Sequence, residues 1–512
     1  MPSKKSSKKI NPPKGTRDLY PEDLLRQRYI TNAWRDASIR CGFEEIAGPT
    51  FESTDLYAVK SGDGILNELF QAFSGKSPAE IEQVQATGTA PYALRPEFTP
   101  TLARMYAARS KELPKPCKWF TAGPYFRAER PQRGRLREFL QWNVDFIADD
   151  NSSESRAIAD AEILSTIVNL FQLLGLSNGD VTVAYSDRRM AESVLREFGA
   201  SDSTLSDWLA WIDFIPKNPR IAERNAHELG LTQEQHDLII GFFFDQKENS
   251  ELYAELERQP ELTKEYLAFQ QRILSVPEVT DAMSQLQRAG KIAENLGIKG
   301  WGFQHNAIVR GLAYYTGLVF EAIADGERAV AGGGRYDNLI ELFGGPPTPA
   351  CGFGMGDVVL SNLLDDKDLM PTGLELREAV SRPQASIRPD AFIVPNGDEA
   401  NEPLVHTLAA NLRRGIESES WLSREDHKPW QQDRYSVAPM HARISYKSTR
   451  NLGKLKADAA KQHAKFLVEI HGPDKVELRD MDQRDAHTSS LGSFSIDPAA
   501  ENYIGNAIAD RL

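Results

Sequence analysis

A chain of 512 residues is too long for one hydrophobic core, and its length predicts about three domains. Hydrophobic residues make up 41% and charged residues 26% of the sequence, which is typical of a globular protein. The net charge of −13 at pH 7 argues against a protein that coats DNA over its whole surface.

The sequence also predicts the cellular location of the protein. No apolar run approaches the roughly 20 residues that span a bilayer, so we expect no membrane partner. Residues 1–12 are basic but lack an apolar h-region, which predicts a short tail and not a secretory signal. The scattered cysteines, Cys41, Cys117 and Cys351, form no CxxC pair. This argues against a disulfide framework or a zinc site, predicts no metal site built from a His/Cys cluster, and favours the reducing cytoplasm.

The first predicted elements belong to residues 13–199. Apolar residues recur near helical spacing over 22–41, and Gly42 then supplies a stop before extended structure. A strongly amphipathic helix is predicted over 154–174, followed by a strand at 181–187.

The rest of the chain changes character three times. Residues 200–300 are almost wholly helical in pattern, which indicates an inserted or appended helical unit. Extended, Gly-rich structure returns over 301–365. Residues 366–388 are typical of a polar linker, and 389–512 alternate strand and helix. This alternation predicts a small α/β domain with a parallel or mixed sheet.

An arginine-rich hairpin is predicted between Tyr125 and Asp145. Apolar, strand-like residues flank a Pro-Gln-Arg-Gly turn, and five arginines surround it. Arginine suits bidentate phosphate binding, because its planar fork matches two phosphate oxygens and keeps its charge. On this segment alone, a rigid phosphate-binding hairpin and a solvated charged hairpin remain equal alternatives. The five arginines are Arg127, Arg130, Arg133, Arg135 and Arg137.

Three further segments carry candidate site residues. Residues 92–99 read YALRPEFT, and on a strand Arg95, Glu97 and Thr99 would share one face. Residues 309–321 place Arg310 beside two tyrosines, and residues 331–360 are rich in glycine. Glycines 332–334 could let backbone approach a ligand, although such a cluster more often marks a turn.

These segments exclude several kinds of active site. The glycines precede Arg335 and not Lys-Ser/Thr, so they form no Walker loop, and the kinase motifs and the GxSxG elbow are absent. No histidine precedes His227, so a nucleophile in the arginine-rich region has no local histidine base. Arginines, carboxylates and tyrosines remain, and they suit phosphoryl or nucleotidyl transfer.

One stretch near the C-terminus is basic although the protein is acidic. Between Arg443 and Lys465, seven Lys/Arg residues stand against the single acid Asp458. Such a local basic face suits a structured RNA, and a solvated helix face is the alternative.

Taken in order, four motifs resemble class II aminoacyl-tRNA synthetases, and specifically the histidyl-tRNA synthetase family. KGTRDLYPED resembles the family's N-terminal signature, and GFEEIAGPTFE resembles motif 1, which forms the dimer. FRAERPQRGRLREF resembles motif 2, and RGLAYYTGLVFE resembles the family's histidine-site motif. The resemblance covers most of residues 10–360, and the C-terminal segment resembles the anticodon-binding domain.

The resemblance implies an α+β fold. Its catalytic core would be an antiparallel sheet formed by 13–199 and 301–365, interrupted by the helical insertion 200–300. Residues 389–512 would form the α/β anticodon-binding domain. The implied activity is that of a histidine–tRNA ligase, in which ATP converts histidine to histidyl-adenylate and the acyl group then passes to the 3′ end of tRNA(His). Mg²⁺, a homodimer and a cytoplasmic location are implied with it.

The same resemblance assigns roles to individual residues. Arg127 and Arg310 would be catalytic and would grip the α-phosphate of ATP. Glu129 and Arg135 would lie near the adenosine and the phosphates, and Gln132 and Arg133 would contact tRNA. The histidine-binding residues would be Glu97, Thr99, Gln141, Asp145, Tyr315 and Tyr336.

Three positions depart from the family pattern. Motif 3 normally ends in a Glu-Arg pair, where this chain has Val358 and Val359. Ala313 replaces the acid of RGLDYY, and Asp145 is one methylene shorter than the usual Glu. Arg135, Arg335 or a Mg²⁺ ion could supply the charge that the motif 3 arginine carries elsewhere. The missing arginine also favours an alternative function: a non-catalytic paralogue that regulates histidine biosynthesis.

Overall fold

A computed structural model describes residues 10–61, 68–215, 226–244, 260–309, 314–324, 329–396, 401–447, 449, 451–483 and 490–512. Helices and strands are numbered along these residues. Strands β1 to β18 span Glu44–Glu45, Phe51–Ser53, Gln71–Ala72, Tyr92–Leu94, Cys117–Phe126, Glu138–Ile147, Val181–Asp187, Gly302–Gln304, Leu318–Ala324, Ala331–Arg335, Ala350–Gly356, Ala391–Pro395, Ile416–Glu417, Tyr435–Val437, Ala442–Ile444, Phe466–Gly472, Lys475–Asp480 and Ser490–Phe494.

The α-helices alternate with these strands and are concentrated in the middle of the chain. Helices α1 to α17 span Pro21–Arg40, Thr54–Ser61, Pro78–Thr87, Thr99–Arg109, Ser153–Leu173, Arg188–Glu197, Leu205–Phe214, Gln233–Phe243, Pro260–Leu274, Pro277–Ala293, Leu339–Leu342, Asp357–Asp366, Gly373–Val380, Glu402–Arg414, Glu419–Leu422, Leu452–Lys461 and Ile504–Ala509. Within the described residues, none of these helices is both long and apolar enough to cross a membrane.

An eight-stranded sheet forms the larger part of the fold. Its strand order is β1-β5-β6-β11-β10-β9-β7-β8, and every neighbouring pair from β5 to β7 is antiparallel. Only the outermost pairs, β1 with β5 and β7 with β8, are parallel. This mixed sheet, antiparallel at its centre, confirms the predicted α+β class.

Strand β6 shows why the centre of this sheet has one apolar and one polar face. Side chains alternate across a strand, so Trp142, Val144 and Phe146 project to the same face. All three are buried in the main core against α1 and α5. Trp142 stacks on Trp34 of α1 with ring centroids 6.1 Å apart, and its Nε1 donates to Ser38 Oγ at 2.9 Å. The polar residues between them therefore face away from this core.

Between residues 205 and 293 the structure describes helices and turns but no strand, as the sequence predicts. The predicted helix at 154–174 is α5, and the strand at 181–187 is β7. Gly42 and Gly175 follow helices with φ angles of +80° and +82°, which glycine adopts without a steric penalty.

The predicted polar linker 366–388 contains a helix. Helix α13 buries Leu376 completely, and Val380 accepts a hydrogen bond at 3.4 Å from Asn32 of α1. Because Leu376 is the one buried residue of this short helix, its sequence shows no repeated apolar spacing that would predict a helix.

A second sheet, of order β15-β12-β16-β17-β18, builds the C-terminal part. β12 is parallel to β15 and β16, whereas β17 is antiparallel to both of its neighbours. The predicted parallel or mixed sheet is therefore confirmed as mixed. The exact domain boundaries stay a prediction.

A buried ionic cluster joins the two sheets. Glu162 of α5 is fully buried and accepts from Arg413 of α14 at 3.1 Å and from Lys118 of β5 at 3.1 Å. Tyr446, which follows β15, donates to the same carboxylate at 3.0 Å. Arg413 and Lys118 hold the pKa of Glu162 down at about 2, against the effect of its burial. Burial and the charge of Arg413 lower the pKa of Lys118 to about 8, because together they exceed the opposite effect of Glu162 on that pKa.

Candidate active site

A cavity of about 340 Å³ opens on the polar face of the central strands β6, β10 and β11. Tyrosines that precede β9, the N-terminus of α4, the arginine hairpin and the start of α12 complete its wall. Most residues that the sequence singles out meet here: Glu97, Thr99, Arg127, Arg135, Gln141, Tyr315 and Tyr336 all line the cavity. Arg310 and Ala313 lie outside the described residues.

Asp145 lies beneath one end of this cavity and is 1% exposed. Its Oδ1 accepts a short hydrogen bond from the hydroxyl of Tyr336. Its Oδ2 is buried and has no hydrogen-bond partner among the described residues. Burial raises the pKa of Asp145 to about 7, while the bond from Tyr336 acts in the opposite direction. A buried acceptor of this kind is suited to a ligand that brings its own N–H donor.

Glycines of β11 make room for the polar side chains of β6. Gly352, Gly354 and Gly356 lie directly opposite Asp145, Asn143 and Gln141 in the strand register. A Cβ on Gly352 would lie 2.2 Å from Asp145 Oδ1, and one on Gly354 would lie 3.0 Å from Gln141 Nε2. The sequence signal for this floor is therefore the alternate glycines of β11 more than glycines 332–334, of which Gly332 lines the cavity.

The strand alternation predicted for residues 92–99 is wrong. β4 ends at Leu94, and Thr99 already begins α4. Arg95 turns away from the cavity and donates to the carbonyl of Pro124 at 2.8 Å, with its guanidinium over the Tyr125 ring at 4.7 Å. Glu97 and Thr99 still line the cavity, because the turn before α4 brings both to the same side. A proline at position 96 explains the early end of the strand.

Arg127 lines the cavity close to Gln141 and Phe139. Its guanidinium lies over the Phe139 ring at 5.1 Å, and its Nε donates to the carbonyl of Pro96 at 3.3 Å. Its Nη2 is 3.5 Å from Gln141 Oε1. Burial lowers the pKa of Arg127, and it forms no salt bridge within the described part of the chain. Carboxylates such as Glu97 act on it from a distance, and an arginine that forms no salt bridge with them can bind an anion.

The tip of the arginine hairpin has the predicted form. β5 and β6 are antiparallel, and Gln132 and Arg135 form a bridge around Gly134, whose φ is +72°. Arg135 pairs with Glu129. The predicted tRNA contacts Gln132 and Arg133 are exposed at the tip, and Arg133 lies 3.5 Å from Asp366. Gln132, Arg133 and Glu129 do not line the cavity.

The structure rules out one of the three candidates for the missing motif 3 charge. Val358 and Val359 line the cavity beside Gly134 and Arg135. Arg335 is 2% exposed and points to the other side of the sheet, where its Nη2 donates to Asp160 Oδ1 at 2.6 Å. Arg335 is therefore no substitute for that arginine, whereas Arg135 lines the cavity together with the two valines.

Several cavity residues escape prediction from the sequence. Asn143 is 3% exposed and accepts from Gln141 Nε2 at 2.8 Å, which orients the amide of Gln141. Phe139 occupies the same face of β6, so the alternation through positions 139, 141, 143 and 145 was the available signal. Tyr314 packs at a tilt against Tyr315 with ring centroids 4.7 Å apart, and its signal was its place in the Tyr-Tyr pair of the histidine-site motif.

Among the described residues, Glu97 is the acid that lines the cavity, and Glu129 nearby is paired with Arg135. This part of the chain therefore places no set of carboxylates there that could hold a metal by itself. Among the described residues, one group of three possible ligands lies close together, namely Glu469, His471 and Glu477 in the C-terminal sheet. Arg479 and Lys456 already contact Glu469 at 2.6 and 3.0 Å, so cations of the protein occupy that group.

The comparisons of this chain with known proteins agree on one family. The family model described as histidyl-tRNA synthetase matches residues 15–357. The histidine–tRNA ligase of Arabidopsis thaliana chloroplasts and mitochondria is 34% identical over 374 residues, which are 71% of this chain and 67% of that protein. The histidine–tRNA ligase of Thermococcus kodakarensis is 31% identical over 79% of this chain and 82% of its own.

Solved structures share the fold. The crystal structure of histidyl-tRNA synthetase from Nostoc sp. PCC 7120 covers 98% of this chain and 100% of its own, with a TM-score of 0.56 at 20% sequence identity. The family match extends over the arginine hairpin, the helical middle and the glycine-lined cavity. This chain belongs to the histidyl-tRNA synthetase family.

Proposed function

We propose that the protein is a histidine–tRNA ligase. One observation carries the proposal: Arg127, which forms no salt bridge among the described residues, lines the same cavity as Tyr336, whose hydroxyl donates to the buried carboxylate of Asp145 just beneath. Arg127 can bind a phosphate, and Asp145 can bind an imidazole N–H. Glu97 and Gln141 line the same cavity and can hold an α-ammonium group.

The reaction has two steps. An oxygen of the histidine carboxylate attacks the α-phosphorus of ATP, the bond from that phosphorus to the bridging oxygen breaks, and pyrophosphate leaves. A ribose hydroxyl of the terminal adenosine of tRNA(His) then attacks the activated carbonyl, and AMP leaves. Arg127 would stabilise the charge on the α-phosphate and orient it toward the histidine carboxylate. The family resemblance gives the same task to Arg310.

The histidine end would work by complementary hydrogen bonding. Tyr336 fixes one oxygen of Asp145, which leaves Oδ2 to accept from the imidazole. Tyr315, held against Tyr314 and close to Gly334, would contact the other side of the ring. A site with a buried polar group that only the correct ligand satisfies rejects isosteres strongly.

We infer that ATP brings Mg²⁺ with it. The described residues contribute one lining carboxylate, Glu97, so the triphosphate would supply most ligands of the ion. Bound there, the metal would neutralise charge on the phosphates. Glu129 and Arg135 would adjoin the adenosine and phosphates, and Arg135 would also provide the cation that is absent at Val359.

The remaining proposals concern partners and location. The exposed Gln132 and Arg133 at the hairpin tip would meet the acceptor end of tRNA, and residues 389–512 would bind the anticodon. A homodimer through the motif 1 segment and a cytoplasmic location complete the proposal. Three buried free cysteines support a reducing compartment.

The basic stretch near the C-terminus is partly neutralised. Arg443 contacts Glu44 at 3.4 Å, and Lys447 contacts Asp458 at 3.1 Å. Lys456 contacts Glu469 at 3.0 Å, and Lys465 contacts Asp390 at 3.5 Å. Lys454 and Lys461 of α16 would therefore carry most of the attraction for RNA there. This weakens the argument from charge alone and leaves the family resemblance as the main support.

A non-catalytic regulatory paralogue is the alternative. It needs the histidine end of the cavity but has no use for an unpaired Arg127 or for a basic hairpin tip. Histidine-dependent exchange of pyrophosphate into ATP by the purified protein, with Mg²⁺ present, decides between them. Exchange with histidine and not with other amino acids is expected. Histidine binding without any exchange would overturn the ligase.

A further inference from the structure

We propose that Arg335 and Asp160 are positioning residues for histidine recognition, which they serve through Tyr336 without entering the cavity. The inference rests on the proposed function, since it concerns the same histidine-binding site. It starts from a buried ionic group on the opposite side of the sheet from the cavity.

Four charged side chains form this group. Arg335 donates from Nη2 to Asp160 Oδ1 at 2.6 Å and from Nη1 to Asp337 Oδ1 at 3.0 Å. Arg156 lies 3.1 Å from Asp337 Oδ2, and its backbone carbonyl accepts from Arg335 Nη2 at 2.8 Å. Two cations and two anions balance, and both anchors Arg156 and Asp160 stand one turn apart on α5.

The group holds the backbone on both sides of Tyr336. Arg335 is tied to α5, and the Asp337 side chain also accepts from the amide of Ala350 at 3.3 Å. The Tyr336 amide itself donates to the carbonyl of Ala350 at 2.7 Å. Tyr336 thus projects into the cavity from a tripeptide whose two neighbours are fixed to a helix, and its hydroxyl meets Asp145.

Stability alone is a poor reason for such a group. Arg335 and Asp160 are 2% and 1% exposed, and taking charges out of water largely cancels their attraction. The Nε of Arg335 is also buried without a hydrogen-bond partner among the described residues. A hydrophobic pair could fill this space at lower cost, but it would not fix the direction of the backbone. The geometry therefore points to a positional role.

The test uses pyrophosphate exchange and two conservative variants, Asp160→Asn and Arg335→Lys. Each should raise KM for histidine by roughly tenfold to a hundredfold, the usual effect of removing a supporting partner behind a site residue. KM for ATP should change by less than about twofold, which is well below the tenfold change that corresponds to about 1.4 kcal/mol. Since a misplaced Tyr336 hydroxyl supports the Asp145 carboxylate less well, the pH midpoint of histidine KM should rise.

Glu162→Gln provides the matched control. Glu162 is on the same helix, is fully buried and also bonds an arginine, but it faces the C-terminal sheet. This control should lower thermal stability and leave the exchange constants for histidine as they are. An equal rise in histidine KM in Glu162→Gln would show a general effect of α5 and would overturn the proposal.

A double-variant cycle with Tyr336→Phe separates positioning from simple damage. If Asp160 acts through Tyr336, Asp160→Asn should add little to histidine KM once the hydroxyl is gone. Independent, multiplying effects would refute the inference. Calorimetric histidine binding gives the same readout without catalysis, so failure of the ligase reaction and failure of this proposal remain distinguishable.

Discussion

Replacing Asp145 by Asn should weaken histidine binding and stabilise the ligand-free protein at the same time. The substitution keeps the shape and an oxygen for the Tyr336 hydroxyl, but its amide cannot accept from imidazole. A hydrogen bond to a charged group contributes about 1.5–3 kcal/mol, so histidine KM should rise by roughly 10- to 150-fold. KM for ATP should stay unchanged, because Arg127 lies over Phe139, which is six residues away from Asp145 along β6.

The stability change has the opposite sign. Burial raises the pKa of Asp145 from 3.8 to about 7, so the folded protein retains a proton that the unfolded chain releases. Ligand-free stability therefore falls as pH rises from about 4 to 7. Each pH unit between the two pKa values is worth about 1.36 kcal/mol, which gives a ceiling of about 4 kcal/mol above pH 7. Asn has no charge to desolvate and should recover part of this energy.

Two measurements check the prediction for Asp145. Exchange kinetics between pH 6 and 8 should show wild-type histidine KM falling as Asp145 ionises, whereas Asp145→Asn should keep only the titration of free histidine. Thermal unfolding without ligand at pH 8 should show a higher Tm for the variant than for wild type. A change of about threefold in histidine KM is smaller than the loss of one hydrogen bond to a charged group would cause. A histidine KM within about threefold of wild type would therefore refute the assignment of Asp145 to the imidazole.

Three further outcomes are expected. Arg127→Ala should lower kcat/KM for exchange by about 10²–10³-fold, which is the usual loss when one donor to a developing charge is removed. A smaller loss of kcat/KM than in Asp145→Asn would contradict the role of Arg127 at the phosphate. Val359→Arg should not lower KM for ATP, because a Cβ on Gly134 would already lie 3.1 Å from Val359 Cγ2 and a longer side chain would press on the hairpin; improved ATP binding in the exchange assay would show otherwise. The pKa of Glu162 is held near 2, below its value of 4.5 in an unfolded chain, so its contribution to stability should be complete above pH 4.5 and be lost as pH falls toward 2; thermal unfolding of Glu162→Gln should lack this acid transition.

Local patterns predicted the elements well where one face is buried. β7 and β12 occupy the positions that VTVAYSD and AFIVP suggest, since both are runs of buried residues with no competing signal. The arginine hairpin was also predictable, because a Gly-containing turn between apolar strands has few alternatives. Motif resemblance then placed Glu97, Thr99, Gln141 and Tyr336 together, although they are far apart in sequence.

Direction of side chains was the part that local patterns could not give. Arg95 and Arg335 are adjacent to site residues in sequence but face away from the cavity, one onto Tyr125 and the other onto Asp160. Whether an arginine faces a ligand depends on which face of the sheet the opposing helix covers, and this is a tertiary property. Helix α13 within the predicted linker was missed for the same reason, since a single buried leucine, Leu376, packs it against the rest of the fold.

The missing motif 3 arginine changes the balance of the phosphate end without removing its charge. Two described arginines, Arg127 and Arg135, line the cavity beside Val358 and Val359, and only Arg135 is paired with an acid there. A third arginine in that place would meet Gly134 at the hairpin tip and would add a cation to a wall that already holds two. Valine instead adds apolar surface to a cavity that Phe139 also lines, which suits the flat, weakly polar ring of adenine. In the proposed ligase, affinity for the base would therefore rest on apolar contact and affinity for the phosphates on the hairpin, so the departure from the family pattern is compatible with ATP binding.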